Sequence, residues 1–250
     1  MAEQNKLANV KAFCFDVFGT IVNWRESMVK ALDEYIPPQS RPNVNSVEFV
    51  NKWRQGYIQA MARLSQKRFD QNNYPNLDDI HLEILESLLS EYTLQDKISP
   101  EAKIELNMHW HQLVPWNDSA AGLSGLQKSA ITATLSNGTV RLLTDLAKYG
   151  DLRFDVILSG ESFLAFKPNP AMYLGAARLL NLKPDEVCMV AAHDRDLQHA
   201  KKHGLVTAFL YRPGEGHDEQ EITTDLAHID ICINNLTKLS DLYNKERTRY

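Results

Sequence analysis

The chain has 250 residues, with 27 Lys and Arg against 32 Asp and Glu for a net charge of -5, and 44% of it is hydrophobic against 24% charged. That balance excludes intrinsic disorder and fibrous repeats, and predicts a chain able to bury roughly 70–75% of its unfolded surface. With no clustered Lys/Arg run beyond pairs such as Lys201-Lys202, neither nucleic acid nor an anionic membrane is an expected partner, and any anionic ligand must be met by local charges.

Met1 to Val10 is polar and mixed in charge, and no apolar stretch approaches the roughly 18 residues that span a bilayer. A cytoplasmic location is expected. Cys14, Cys188 and Cys232 each sit in an apolar, β-rich segment, which predicts buried thiols rather than a disulfide framework.

The run from Val10 to Phe15 (VKAFCF) is short, nearly all apolar and ends at Asp16, the pattern of a strand buried on both faces of a parallel sheet. Between Trp24 and Val114 only helical spacing occurs. Val50, Trp53, Tyr57, Met61 and Leu64 make one stripe; Leu77, His81, Ile84, Leu85 and Leu88 a second; Leu106, Trp110 and Leu113 a third. Pro37-Pro38, Asn72 to Pro75 and Ser99-Pro100 separate them. Residues 23–114 therefore read as an inserted helical lobe.

After Pro115, strand candidates at Ile131 to Leu135, Phe154 to Leu158, Val187 to Val190, Val206 to Leu210 and Ile229 to Ile233 alternate with helical segments. Asn169-Pro170 makes a cap and first-turn pair for the helix carrying Tyr173. This rhythm predicts an α/β fold: a Rossmann-like, doubly wound parallel sheet built from residues 1–22 and 115–250, with its ligand site at the carboxyl ends of the strands. Those ends carry Asp16 with Gly19 and Thr20, Ser136-Asn137-Gly138, Lys167-Pro168, and His193-Asp194-Arg195-Asp196. Each is individually a common cap, turn or surface charge; together, on consecutive strands, they mark a site.

FDVFGT (Phe15 to Thr20), LSNGT (Leu135 to Thr139), FKPNPAMY (Phe166 to Tyr173) and VAAHDRDL (Val190 to Leu197) resemble the four motifs of the haloacid dehalogenase superfamily. The insert after the first motif resembles the helical cap of its dehalogenase branch. Two positions separate this chain from the superfamily's phosphatases, whose first motif resembles DxDxT. Phe18 stands where their second Asp protonates a leaving alcohol, and Ala192-His193 stands where they use an acid to complete a Mg²⁺ site. A halide leaves as a stable anion and needs no proton. WRQGYIQAMARL (Trp53 to Leu64) is further similar to a cap helix of L-2-haloacid dehalogenases that begins with a Trp-Arg pair.

The resemblance implies hydrolysis of a small 2-haloalkanoic acid through an aspartyl ester, with no cofactor and no metal. Asp16 is then the nucleophile, Thr20 fixes its rotamer, and Lys167 keeps it ionised. Ser136, Lys167 and the backbone N–H groups of Val17 and Phe18 hold the substrate carboxylate. Phe18 lines the pocket, Arg54 and Asn137 receive the halide, and Asp196 orients or activates the attacking water, with Tyr173 in the same polar network. The better-known dehalogenases resemble S-S-N at the fourth motif, where this chain has Ala191-Ala192-His193. His193 therefore takes over the Asn's donor role or acts as a base, and strong donors of this kind suit a small halide, fluoride included. Asp194 and Arg195 read as a solvated helix start. His109 and His111, two apart, lack zinc-site spacing. Two alternatives stay open: a Mg²⁺ phosphatase using Asp194 and Asp196, and a non-catalytic binding protein of the same fold. The helical stripes also suit a homodimer as well as a cap-to-core seam.

Overall fold

Along Ala12–Phe15 (β1) every side chain is buried, but to opposite sides. Phe13 and Phe15 join one apolar cluster while Ala12 and Cys14 join another, as the two-residue period of a strand requires. The computed structural model describes residues 6–216 and 226–247. β1 is central in a parallel sheet with β2 (Ile131–Ser136), β3 (Val156–Ser159), β4 (Val187–Ala191), β5 (Val206–Leu210) and β6 (Ile231–Ile233), in the order β3-β2-β1-β4-β5-β6. The predicted doubly wound sheet is present, and the order reverses at β1, so β1, β2 and β4 bring their carboxyl ends together at the switch point.

Strands expected to start at Phe154 and Ile229 begin two residues later. In each case an Asp just ahead of the strand ties its side chain, as well as its backbone N–H, to the neighbouring strand. Asp155 accepts from the Thr132 N–H at 2.8 Å and Asp230 from the Thr207 N–H at 3.1 Å.

The helices begin where short polar side chains cap them. Asn23, Asn45, Asn76 and Ser99 accept a first-turn N–H at the starts of α1 (Trp24–Tyr35), α2 (Ser46–Leu64), α3 (Leu77–Glu91) and α4 (Pro100–Met108). α5 (Ser119–Gln127), α6 (Val140–Tyr149) and α9 (Leu236–Arg247) pack with the Phe13/Phe15 side of the sheet. α7 (Pro170–Leu179) and α8 (Asp194–Lys202) pack with the other side. Asn169 caps α7 and Pro170 is its first residue, as expected.

The predicted stripes face inward: Val50, Trp53, Leu85, Leu106, Trp110 and Leu113 are buried, whereas Leu64 and Ile84 are half-covered. The cluster that holds Phe13 and Phe15 continues without a break into these helices through Trp24, Met28 and Trp53. Cys14 and Cys188 are buried on neighbouring strands, and burial lifts the Cys14 thiol to about 12 against the opposing pull of Lys167. Cys232 is half-buried rather than buried, because β6 is the edge strand. No described helix is long and apolar enough to cross a membrane.

Candidate active site

Asp16 is the first residue beyond β1, and its N–H donates to Val190 O at 3.0 Å, so the chain leaves the sheet with the carboxylate fixed. Lys167 Nζ lies 3.3 Å from its Oδ1, Thr20 Oγ1 donates to Oδ2 at 2.9 Å, and His193 Nδ1 lies 3.0 Å from the same Oδ2. Burial alone would raise the pKa of this carboxyl. The Lys167 ammonium, then His193 and Thr20, outweigh it and hold Asp16 well below the usual carboxylate range. A buried carboxylate kept ionised this way is a nucleophile or a strong anionic ligand.

The supporting groups are anchored in turn. Thr20 Oγ1 accepts from the Ala192 N–H at 2.9 Å, tying the first loop to the end of β4. Asp196, in the first turn of α8, accepts from Lys167 Nζ at 2.5 Å and from Tyr173 Oη at 2.7 Å. Lys167 thus bridges two carboxylates. Burial would lower its pKa, but Asp196 and then Asp16 raise it, so it stays an ammonium. Burial, and then Asp196, raises the pKa of the Tyr173 hydroxyl, so Tyr173 is a permanent donor here.

At the end of β2, the Ser136 hydroxyl accepts from the Gly138 N–H at 3.2 Å, which leaves its own hydrogen to give. The Asn137 carbonyl accepts from the Lys167 N–H at 2.7 Å, so its amide NH₂ points elsewhere. The Lys167-Pro168 peptide is cis.

Arg54 comes from α2. Its guanidinium carbon lies 5.4 Å from the Phe18 ring centre, 5.5 Å from Trp24 and 5.2 Å from Tyr57. His81 stacks on Tyr57 at 4.6 Å, and burial, then Arg54, push its pKa down to about 3, so it is neutral. Arg54 therefore meets the Asp16 loop as a cation framed by aromatic faces, over the ring of the residue two beyond Asp16. The structure brings together Asp16, Thr20, Lys167, Tyr173, His193 and Asp196 by direct hydrogen bonds. Phe18 and Arg54 are joined by ring contact, and Asn137 by its bond to Lys167. Ser136 ends the adjacent strand. Asp194, at the start of α8, is engaged instead by His228 and Gln198. His109 packs edge-on against Tyr35, and buried His111 lies between Asp78 and Asp145.

Glu215 joins the site without being among the residues predicted from the sequence. Its carboxylate lies 3.0 Å from His193 Nε2, on the side opposite Asp16. It arrives on the turn after β5, a strand end with no predicted site residue, although Pro213-Gly214-Glu215-Gly216 is a turn signal. Gly214 and Gly216 take positive φ there. Gly19, at φ +84°, makes the approach possible, since a Cβ at Gly19 would lie 2.3 Å from Glu215 Oε2. Arg212 Nε donates to Thr20 O at 2.9 Å and Trp116 Nε1 to Gly19 O at 3.0 Å, fixing the same loop from outside. With Asp16 and Glu215 both against it, His193 has its pKa raised to about 9 although burial opposes this, so it is an imidazolium at neutral pH.

The pattern has relatives. A family model of haloacid dehalogenase-like hydrolases matches residues 10–204. The chain is 26% identical to (S)-2-haloacid dehalogenase 4A of Burkholderia cepacia, covering 96% of this chain and 98% of that one. The solved structure of a defluorinating L-2-haloacid dehalogenase superposes with a TM-score of 0.81 at 36% identity, over 94% of this chain and 95% of the other. A second L-2-haloacid dehalogenase structure gives 0.78 at 36% identity, over 93% and 98%. With most of its length and all four strand-end motifs inside the match, the chain belongs to the haloacid dehalogenase-like hydrolases.

Proposed function

We propose that the protein hydrolyses the carbon–halogen bond of small 2-haloalkanoic acids to give 2-hydroxy acids, with residues 1–22 and 115–250 as the core domain and 23–114 as a helical cap. The observation that carries this reading is a carboxylate, Asp16, held ionised by Lys167, Thr20 and His193 beside an arginine framed by Phe18, Trp24 and Tyr57. An Asp nucleophile facing a caged cation suits a displacement in which negative charge passes from carboxylate to halide.

In that displacement Asp16 attacks C2 opposite the halogen, the halide departs with the bonding pair, and an ester remains on Asp16. The Ser136 hydroxyl, Lys167 and the N–H groups of Val17 and Phe18 hold the substrate carboxylate. Arg54 and the Asn137 amide stabilise the leaving halide. Phe18 supplies an apolar wall and no proton donor, which suits a leaving group that needs none. Relatives named as haloacid dehalogenases, one of them defluorinating, support the substrate class and make fluoroacetate a substrate to test. On this reading the enzyme works on a dissolved haloacid in the cytoplasm and needs no metal, nucleic acid or membrane.

The test is halide release by the purified protein from chloro-, bromo- and fluoroacetate and both enantiomers of 2-chloropropionate, in EDTA, with Asp16→Asn as control. Release that survives EDTA and vanishes in the variant is expected. Absence of release from every substrate, together with Mg²⁺-dependent hydrolysis of a phosphate ester, would overturn the reading.

A further inference from the structure

An ester on Asp16 must still be hydrolysed, and the water that does so needs a base. Asp196 is poorly placed for that work. One of its oxygens accepts from Tyr173, the other from Lys167, and its side chain is only 8% exposed. His193 is 33% exposed and touches Asp16 directly. Behind it stands Glu215, 6% exposed, whose loop is held from the helical insert: Arg25 of α1 donates through one terminal nitrogen to Gly214 O at 2.8 Å and through Nε to Asn51 Oδ1 of α2 at 3.1 Å. Gly214 takes φ +77°, and a Cβ there would lie 2.3 Å from the Arg25 guanidinium and displace it. From Arg25 to Asp16 the contacts are continuous: Arg25, Gly214, Glu215, His193, Asp16.

We propose that His193 is the base for hydrolysis of the Asp16 ester, and that Glu215, held in place by Arg25, is the positioning residue that aims and charges it. The inference rests on the dehalogenase reading above. The titratable groups facing His193 are Asp16 and Glu215, with Lys167 on the other oxygen of Asp16 and Asp196 behind Lys167.

Before reaction the imidazolium lies between two carboxylates. Alkylation turns Asp16 into a neutral ester, one of the two counter-charges is gone, and the Nδ1 proton becomes easier to lose. Release of that proton to solvent is the one proton the overall reaction must shed, since haloacid plus water gives hydroxy acid, halide and H⁺. The freed Nδ1 then faces the ester. Water oxygen bonds to Cγ of Asp16 as one of its hydrogens passes to Nδ1. When the tetrahedral adduct collapses, the bond between Cγ and the substrate oxygen breaks and the water's other hydrogen ends on the departing hydroxy acid. Asp16 returns as a carboxylate against an imidazolium. Glu215, accepting from Nε2–H throughout, keeps the ring oriented with Nδ1 toward the ester.

Rapid-mix kinetics with chloroacetate tests this with Glu215→Gln and Arg25→Leu. In Glu215→Gln the first equivalent of halide should leave within about threefold of the wild-type rate, while steady turnover falls by roughly 10- to 100-fold. Mass spectrometry of the quenched protein should find a carboxymethyl ester on the Asp16 peptide. Its ester hydrolysis should also show the limb that rises with pH at lower pH than in wild type, since a neutral amide no longer favours the imidazolium. Arg25→Leu, at a half-buried position, should accumulate the same ester to a smaller extent. Steady turnover at wild-type rate with no ester in either variant would overturn the proposal. So would equal loss of burst and turnover in both, which would place Glu215 in the alkylation step. Failure of the dehalogenase reading looks different: wild type would release no halide at all.

Discussion

Lys167→Met removes a buried ammonium at nearly constant volume and leaves two carboxylates, Asp16 and Asp196, without the cation they share. Lys167 Nζ lies 3.3 Å from Asp16 Oδ1, a separation at which an effective dielectric of about 20 puts a unit charge pair near 5 kcal/mol. Its second partner, Asp196 Oδ2, is closer still at 2.5 Å, and breaking a buried pair of this kind costs about 3–5 kcal/mol in stability. The variant lowers that cost by protonating Asp16, so the Asp16 pKa, now well below its ordinary value, climbs past it. The sign follows from linkage. A depressed carboxyl pKa stabilises the wild type above the unfolded value of about 4, and the contribution fades as pH falls through the folded value. Urea midpoints of wild type and variant should therefore diverge from acid toward neutral pH and converge in acid. In halide-release assays the first-turnover rate at neutral pH should fall at least about 100-fold, the equivalent of roughly 3 kcal/mol, and the acid limb should move to higher pH. A variant within threefold of wild type, with an unmoved acid limb and parallel urea curves, would refute the assignment of Lys167 as the group that keeps Asp16 ionised.

Arg54→Leu keeps an apolar side chain among Phe18, Trp24 and Tyr57 but removes the cation, so halide release should fall roughly 100- to 1000-fold while thermal unfolding shifts little. Tyr173→Phe removes the donor 2.7 Å from Asp196 Oδ1; a stability loss of about 1–3 kcal/mol is expected, with a smaller effect on the halide burst than Lys167→Met. His111 ties Asp78 at the start of α3 to Asp145 in α6, at 3.1 and 2.9 Å, and although burial opposes it those two carboxylates raise its pKa. A raised histidine pKa stabilises fully below the unfolded value of about 6.5 and is lost as pH rises through the folded one. The stability gap between wild type and His111→Asn should accordingly be larger at pH 6 than at pH 9, and a gap constant across that range would remove the charged bridge from consideration.

Much of this site is legible in the chain itself because it hangs on short-range rules. The run before Asp16 reads as a doubly buried strand because its neighbours, β2 and β4, cover both edges and helices cover both faces. The residues at four strand ends can be read because a parallel sheet collects its ligand groups at one edge. Asn23, Asn45, Asn76, Ser99 and Asn169 mark helix starts by local capping. The amino-acid sequence by itself therefore determined the sheet class and the inserted helical segment, since periodicity and caps act within a few residues, and its strand-end motifs, through their resemblance to a family, supplied the residues of the Asp16 cluster other than Glu215.

Only the tertiary structure decided which of those residues face one another. Lys167 reaches Asp16 across 151 positions and His193 across 177. Helical spacing alone does not distinguish Arg54, framed by three aromatic rings, from any other helix arginine; only the resemblance of its Trp-Arg pair to a cap helix singles it out. The turn signal around Glu215 does not say that it meets His193, which it does because glycines at 19 and 214 admit the close approach of another chain segment. Likewise Asp196 is an acid in a helix first turn by sequence, where a solvated end is the ordinary outcome. Folding surrounds it with Tyr173 and Lys167 and makes it the anchor of the ammonium instead. Burial and pairing set the charge of each group, and both depend on segments far apart in the chain, so the protonation states that the chemistry needs are properties of the fold.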